Sequence, residues 1–344
     1  MKKDSKCPHC AVKPKKWYKD RLLIIVAAAA IILSFSFLFY TPMFSAFADY
    51  LGLIWWALLL GFLLGGVIDH FIPNEYINYY LTSHRKRSII YSVILGFLMS
   101  ACSHGILAIA IELYRKGAST PSVIAFLLAS PWANLPITIL LLGFFGLNAL
   151  YIIVSAIVVA VITGLIYQVL DRKGIVECRY CDTKIIKKFS IRKDVRERIE
   201  KRKKNGWNLK NDVKGVMKGS LSLTRMVLWW IIIGMIMASF ARAFIPHTIF
   251  ASFLGPSLLG LFVTLVLATV IEVCSEGSSP LSFEIFKQTG AFGNSFTFLM
   301  AGVSTDYTEI GLIWSNIGKK AAIMLPVITV PQIILLGFLF NVFI

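Results

Sequence analysis

Cys102-Ser103-His104-Gly105 and Cys274-Ser275-Glu276-Gly277 stand 172 residues apart, each inside an otherwise apolar run. The thiols of Cys102 and Cys274 are soft ligands, and Met99 and Met300 bring soft thioethers to the same stretches. His104 adds a borderline ligand that can also carry a proton. Such a set suits Cu(I) or a trivalent arsenic species. A single buried cysteine usually does no more than fill apolar space. Two at matched positions beside polar residues are harder to read that way, because polar groups within a bilayer are expensive and mark function.

Six acids also fall within apolar runs: Glu112, Glu272, Glu276, Glu284, Asp306 and Glu309. Those near the ends of a run are within reach of water. Glu276 and Asp306 instead sit where a run is interrupted, and Asn134 stands 172 residues before Asp306. An acid at such a break is a candidate for coupling a proton to the movement of a solute. The expected substrate-binding set is Cys102, Ser103, His104, Cys274, Ser275, Glu276, Asn134 and Asp306.

The other four cysteines form two Cys-x-x-Cys pairs, Cys7 with Cys10 and Cys178 with Cys181. Each pair has the spacing of half a four-cysteine zinc site, and His9 lies within the first. Both pairs lie in strongly basic segments. Residues 1–21 hold 8 Lys/Arg and residues 171–225 hold 18, together 26 of the 35 in the chain. Short basic segments beside membrane helices mark the cytoplasmic side, a reducing compartment that disfavours structural disulfides. One structural Zn²⁺ clipping tail to loop is the expectation; the alternative is that the pairs deliver or sense a transported metal. The basic charge also fits attraction to anionic lipid headgroups, and no nucleic-acid partner is expected.

The elements that must position these residues are membrane helices. The chain is 57% hydrophobic with mean hydropathy +0.74. Its apolar segments run over roughly 22–40, 50–72, 88–114, 120–145, 147–170, 223–245, 258–286, 291–313 and 320–343. A helix of about 20 residues spans a bilayer. The stretch 22–40 is too long for the h-region of a signal peptide and reads as a first helix. Gly, Pro and polar residues interrupt four segments near their middles, at CSHG, SPWANLP, CSEG and GVSTDYTE. Ile191, Val195 and Ile199 form an apolar stripe on a short surface helix within 190–204.

The two halves repeat. Glu112 pairs with Glu284 and Arg115 with Lys287 at the same offset of 172, and FLLASPWAN from Phe126 matches FLMAGVSTD from Phe298. The organisation is a basic tail with a Cys-x-x-Cys pair (1–21), an extra transmembrane helix with its loop (22–49), membrane repeat 1 (50–170), a basic loop with the second pair (171–222) and membrane repeat 2 (223–344). If all four segments of repeat 1 crossed, the basic loop would lie opposite the basic tail, against the positive-inside rule. One re-entrant hairpin or broken helix per repeat removes the conflict and inverts repeat 2. The segment 88–114 suits the hairpin, with CSHG at its tip and Gly105 and Gly277 permitting the turns; 120–145 satisfies the same parity. The fold class expected is an all-α polytopic membrane protein of two inverted repeats, each with about three spanning helices plus a hairpin or broken helix, and one extra N-terminal helix. That is the architecture of secondary transporters, with the tail and the loop 171–222 cytoplasmic.

No Walker A loop, H-E-x-x-H or G-x-S-x-G occurs, and no enzyme activity is expected. The strings ACSHGILAIAIELYRKGAS and VCSEGSSPLSFEIFKQTGAF, with FLLASPWANLPI and FLMAGVSTDYTEI, resemble the predicted permeases of the YraQ type. That family includes the organoarsenical efflux permeases called ArsP, and the resemblance covers about 50–343. It implies a permease, and makes Cys102 and Cys274 candidates to bind trivalent arsenic. Family members commonly carry Cys-Ser-Cys-Gly in the first motif; His104 replaces the second cysteine here, so a dithiol grip becomes thiol plus imidazole. The function expected is movement of a small solute, a soft metal or metalloid species, out across the cytoplasmic membrane by gradient-driven alternating access. The rivals are a membrane thiol redox protein or enzyme, and a regulatory membrane subunit recruiting a metal carrier through its Cys-x-x-Cys pairs. Expected partners are the small-molecule or metal(loid) substrate and membrane lipids. Gly61 to Gly66 contains a G-x-x-x-G that allows close helix packing, within the chain or in a homo-oligomer.

Overall fold

A computed structural model describes residues 21–39, 41–71, 86–98, 103–115, 118–176, 209–271 and 275–344. Among the described residues there is no β-strand. The helices are α1 (Arg21–Phe39), α2 (Thr41–Phe71), α3 (Lys86–Leu98), α4 (Ser103–Arg115), α5 (Thr120–Ala133), α6 (Leu135–Phe145) and α7 (Ala149–Arg172). They continue with α8 (Leu209–Phe244), α9 (His247–Leu254), α10 (Leu258–Ile271), α11 (Ser275–Thr289), α12 (Phe292–Thr305), α13 (Tyr307–Asn316) and α14 (Lys319–Phe343). Among the described residues, four stretches are long and apolar enough to cross a membrane: Thr41–Val67, Leu135–Arg172, Asp212–Phe244 and Lys319–Phe343. The pair α9 and α10, bent by 103°, makes a fifth when taken together.

Large apolar side chains face outward along these helices, among them Leu59 (64% exposed), Val154 (58%), Val270 (74%) and Phe343 (78%). Water would not tolerate so much apolar surface; hydrocarbon does. The chain is an all-α polytopic membrane protein.

All four interrupted segments divide into two helical arms, as α3/α4, α5/α6, α10/α11 and α12/α13. In the first half, α3 and α4 both pack on α5, and α5 packs on α7. In the second half, α10 and α11 both pack on α12, and α12 on α14. The halves meet through α2 with α8, α5 with α12 and α7 with α14. Asp49 near the start of α2 pairs with Arg242 near the end of α8 at 3.0 Å. His70 near the end of α2 pairs with Asp212 near the start of α8 at 3.1 Å. The two helices are therefore antiparallel and tied at both ends.

Several expectations are corrected. Residues 41–49 are helix, not loop: Met43, Ala46 and Tyr50 are buried at helical spacing, which makes them the first turns of α2. Helix α8 starts at Leu209, inside the segment read as basic loop, because its lysines can stay solvated while the helix runs on. Gly105 and Gly277 lie inside α4 and α11, so neither makes a turn. Gly234 of α8 instead allows a close approach to residue 277: a Cβ on Gly234 would stand 1.8 Å from the Gly277 carbonyl oxygen. Helix α9 and its bend have no counterpart in the expected segments. The bend is held by Asn294, whose Nδ2 donates to Leu254 O (3.0 Å), Gly255 O (3.1 Å) and Thr264 Oγ1 (3.1 Å). The surface helix expected within 190–204 lies outside the described residues.

Candidate functional site

Each second arm begins with a polar residue at the break. Helix α4 starts at Ser103 and α11 at Ser275, so the offset of 172 carries into the structure. Cys102 and Cys274 directly precede these starts and lie outside the described residues, as do Cys7, Cys10, Cys178 and Cys181. The side chains of Ser103 and His104 lie outside them too, although both residues belong to α4.

Asn134 and Asp306 are equivalent in structure as in sequence. Each has extended backbone between two helices and caps the second arm. Asn134 Oδ1 accepts from Ile137 N at 2.9 Å, and Asp306 Oδ1 accepts from Thr308 N at 2.9 Å. Thr308 Oγ1 also donates to Asp306 Oδ2. A cap satisfies backbone N–H groups that a broken helix would otherwise leave bare in the membrane. Both residues are buried, so capping accounts for part of their presence and leaves further lone pairs to a ligand.

Within each half, the arms that lead into the two breaks touch. Thr269, three residues before 272–274, shares a 2.7 Å hydrogen bond with Thr305, next to Asp306. In the first half, Gly96 near the end of α3 lies against Ala129 and Ser130 near the end of α5. Trp132, two residues before Asn134, packs in one apolar cluster with Phe298, Met300 and Val303 of α12. The end of α5, beside the break at Asn134, thus shares an apolar core with α12, whereas the arms α3 and α4 pack in a second cluster with most of α5.

The lining there is polar on the α11 side. Ser275, Glu276, Ser278, Ser279 and Ser282 are all buried. Ser275 Oγ donates to Glu276 Oε2 at 3.3 Å, and Ser279 Oγ donates to Ser275 O at 2.8 Å. Ser282 and Ser295 clasp α11 to α12, each hydroxyl donating to the other's carbonyl at 3.0 and 2.6 Å. Around Asn134, Trp132 Nε1 and Thr138 Oγ1 are buried with no hydrogen-bond partner among the described residues. Buried polar atoms are nearly always paired, so two unpaired ones flanking a break are groups ready for a ligand. Among the described residues, no three His, Cys, Asp or Glu side chains converge to hold a metal ion.

Sequence reasoning missed a second polar cluster. Glu284 of α11 is fully buried and accepts a hydrogen bond from the Tyr50 hydroxyl. Gln288 Nε2 donates to its other oxygen at 2.7 Å. The role of Tyr50 had no signal in the sequence.

A family described as "Predicted permease" (ArsP_1) matches residues 25–342. The UPF0718 protein YcgR of Bacillus subtilis is 22% identical over 285 residues, which is 81% of this chain and 90% of that protein. The UPF0718 protein MJ0584 of Methanocaldococcus jannaschii is 21% identical over 313 residues, 78% of this chain and 86% of the relative. A Streptococcus mutans protein named as a candidate subunit of a two-component membrane permease complex is 22% identical over 261 residues, 74% of this chain and 79% of its own. No solved structure matches.

Proposed function

Because this chain belongs to the predicted-permease family, which its match over residues 25–342 shows, we propose that it moves a small soft solute by alternating access through a site at the four helix breaks. The observation that supports the reading is that each half breaks two helices at matched positions, with a buried serine-rich arm after one break and, among the described residues, no partner for Trp132 Nε1 and Thr138 Oγ1 beside another. Non-helical backbone deep in a membrane protein survives only where protein or a cavity satisfies it. Four broken helices in one membrane chain suit a solute site.

In this reading the two halves are inverted repeats. The recurrence of packing partners between α3–α7 and α10–α14 supports a shared unit. The basic charge of the tail and of the loop 171–222 supports a cytoplasmic N-terminus and insertion in the cytoplasmic membrane. Cys102 and Cys274, one residue before the starts of α4 and α11, supply thiols to the solute. His104, Ser103, Ser275 and Glu276 follow in the first turns, where half-helix N-termini favour anionic groups. Asn134 and Asp306 complete the lining, and Glu276 and Asp306 carry the coupling charge. The solute is a soft metal or metalloid species and the direction is outward. Transport rather than bond-making chemistry is the role of these residues. A single Zn²⁺ at Cys7, Cys10, Cys178 and Cys181 joins tail to loop.

A second reading is favoured by the relative named for a two-component complex: this chain is the membrane subunit and needs a partner to transport. One experiment separates them. Proteoliposomes holding the purified chain are loaded with Cu(I), arsenite or trivalent methylarsenic, and flux is followed in wild type, Cys102→Ser and Cys274→Ser. Flux in wild type that falls at least about tenfold in either variant supports the site; one thiolate ligand is worth that much. Solute binding without flux favours the two-component reading. Binding and flux untouched by both substitutions refute the thiol site.

A further inference from the structure

Glu284 sits in apolar surroundings. The neighbouring Phe283 ring lies 5.3 Å from Phe144 and 5.5 Å from Phe145 of α6, and 6.5 Å from Tyr50. The route to the surface is polar. Tyr50 donates to Glu284, the Arg242 guanidinium lies 5.9 Å from the Tyr50 ring, and Arg242 bonds Asp49, which is 58% exposed. Helices α6 and α12 bring no titratable side chain to this place, and α9 carries only the exposed His247. On α11 itself, Lys287 is exposed.

Two carboxyls therefore share one guanidinium. Arg242 is bonded to Asp49, and the hydrogen bonds to Glu284 come from the neutral donors Tyr50 and Gln288. Uptake of a proton by Glu284 removes a buried charge without unpairing Arg242. The likeness between the halves also breaks here. Helix α8 packs along α11 and α2 along α6, whereas among the described residues the equivalent pairs α2 with α4 and α8 with α13 have no comparable packing. The antiparallel pair α2/α8 thus grips the arms at its Arg242 end, and Glu284 lies inside that grip.

We propose that Glu284 is a proton-binding site served from the Asp49–Arg242 surface. The step takes one proton from hydronium. An O–H bond forms at Glu284 Oε2, a water molecule is released, and the carboxylate becomes a neutral acid. The Tyr50 hydroxyl, which donated to Oε2, turns to accept from the new O–H. Coupling of this step to solute movement rests on the permease reading; proton binding itself does not.

The test is infrared difference spectroscopy of the full chain reconstituted in lipid, titrated with acid in sodium-free and sodium-containing buffer. Wild type is expected to show a buried carboxylic-acid carbonyl band. The band should be lost in Glu284→Gln, displaced in Tyr50→Phe and retained in Glu276→Gln. A Glu284→Gln spectrum that titrates like wild type overturns the proposal, and so does a band that Tyr50→Phe leaves in place. A band suppressed by sodium overturns it by making the group a sodium ligand. If the band behaves as expected but solute flux is absent, the permease reading fails and the proton site stands.

Discussion

Replacing Gly234 by alanine should pry α8 from α11. The added Cβ would stand 1.8 Å from the carbonyl oxygen of Gly277 and 2.7 Å from its carbonyl carbon. Carbon and oxygen approach no closer than about 3.3 Å in the tightest recurring contacts, so the helices must separate by roughly 1.5 Å. Both partners are backbone inside helices, and neither can rotate away as a side chain would. Overpacking of this kind costs about 1–3 kcal/mol, and the backbone partner puts this site at the upper end. The same shift would strain the Tyr50–Glu284 hydrogen bond, which ties α2 to α11 nearby. The assay is thermal unfolding of purified protein in detergent. Gly52→Ala is the control, since nothing lies within 4 Å of a Cβ there, and it should gain about 0.5–1 kcal/mol from helix propensity. Gly293→Ala should repeat the loss at the α12–α14 contact, where its Cβ would meet Gly337 O at 1.8 Å. A Gly234→Ala protein that melts no lower than wild type would refute the close packing of α8 on α11.

Asn294→Ala removes two N–H donors shared among Leu254 O, Gly255 O and Thr264 Oγ1 at the bend between α9 and α10, and the bond that Asn294 Oδ1 accepts from Asn341 Nδ2, three hydrogen bonds in all. At about 1 kcal/mol per bond the loss should be roughly 3 kcal/mol, read in the same melt. A loss within about 0.5 kcal/mol of zero would mean the bend does not depend on Asn294. For the tail and loop, metal analysis of purified protein should find one zinc per chain, absent after Cys7→Ser with Cys10→Ser. Protein without zinc from the start would remove the clip.

The breaks were legible because a polar or Gly/Pro interruption inside an apolar run has few uses in a membrane. SPWANLP and GVSTDYTE marked Asn134 and Asp306, and the constant offset put Ser103 and Ser275 at equivalent helix starts. The start of α2 was not legible, since Thr41 to Asp49 is only moderately apolar and becomes helix through the burial of Met43 and Ala46. Nor was the 103° bend, because the residue that satisfies its carbonyls, Asn294, lies about 40 positions further on. Gly277 was assigned to a turn on local grounds, while its neighbour Gly234 comes from a different helix. Glu284 was visible as an intramembrane acid. Its partner Tyr50 is 234 residues away, and nothing in the local pattern of α2 distinguishes that tyrosine from one facing lipid.

The central claim is that the two Cys-Ser motifs face one site. The most direct test uses a chain whose only thiols are Cys102 and Cys274, with Cys7, Cys10, Cys178 and Cys181 changed to serine. It is treated in lipid with a short bifunctional thiol reagent, cleaved by protease between the halves, and weighed. The account predicts a link between Cys102 and Cys274 within one chain, blocked by the transported solute. Two thiols that each react with a monofunctional reagent but are never joined would contradict it.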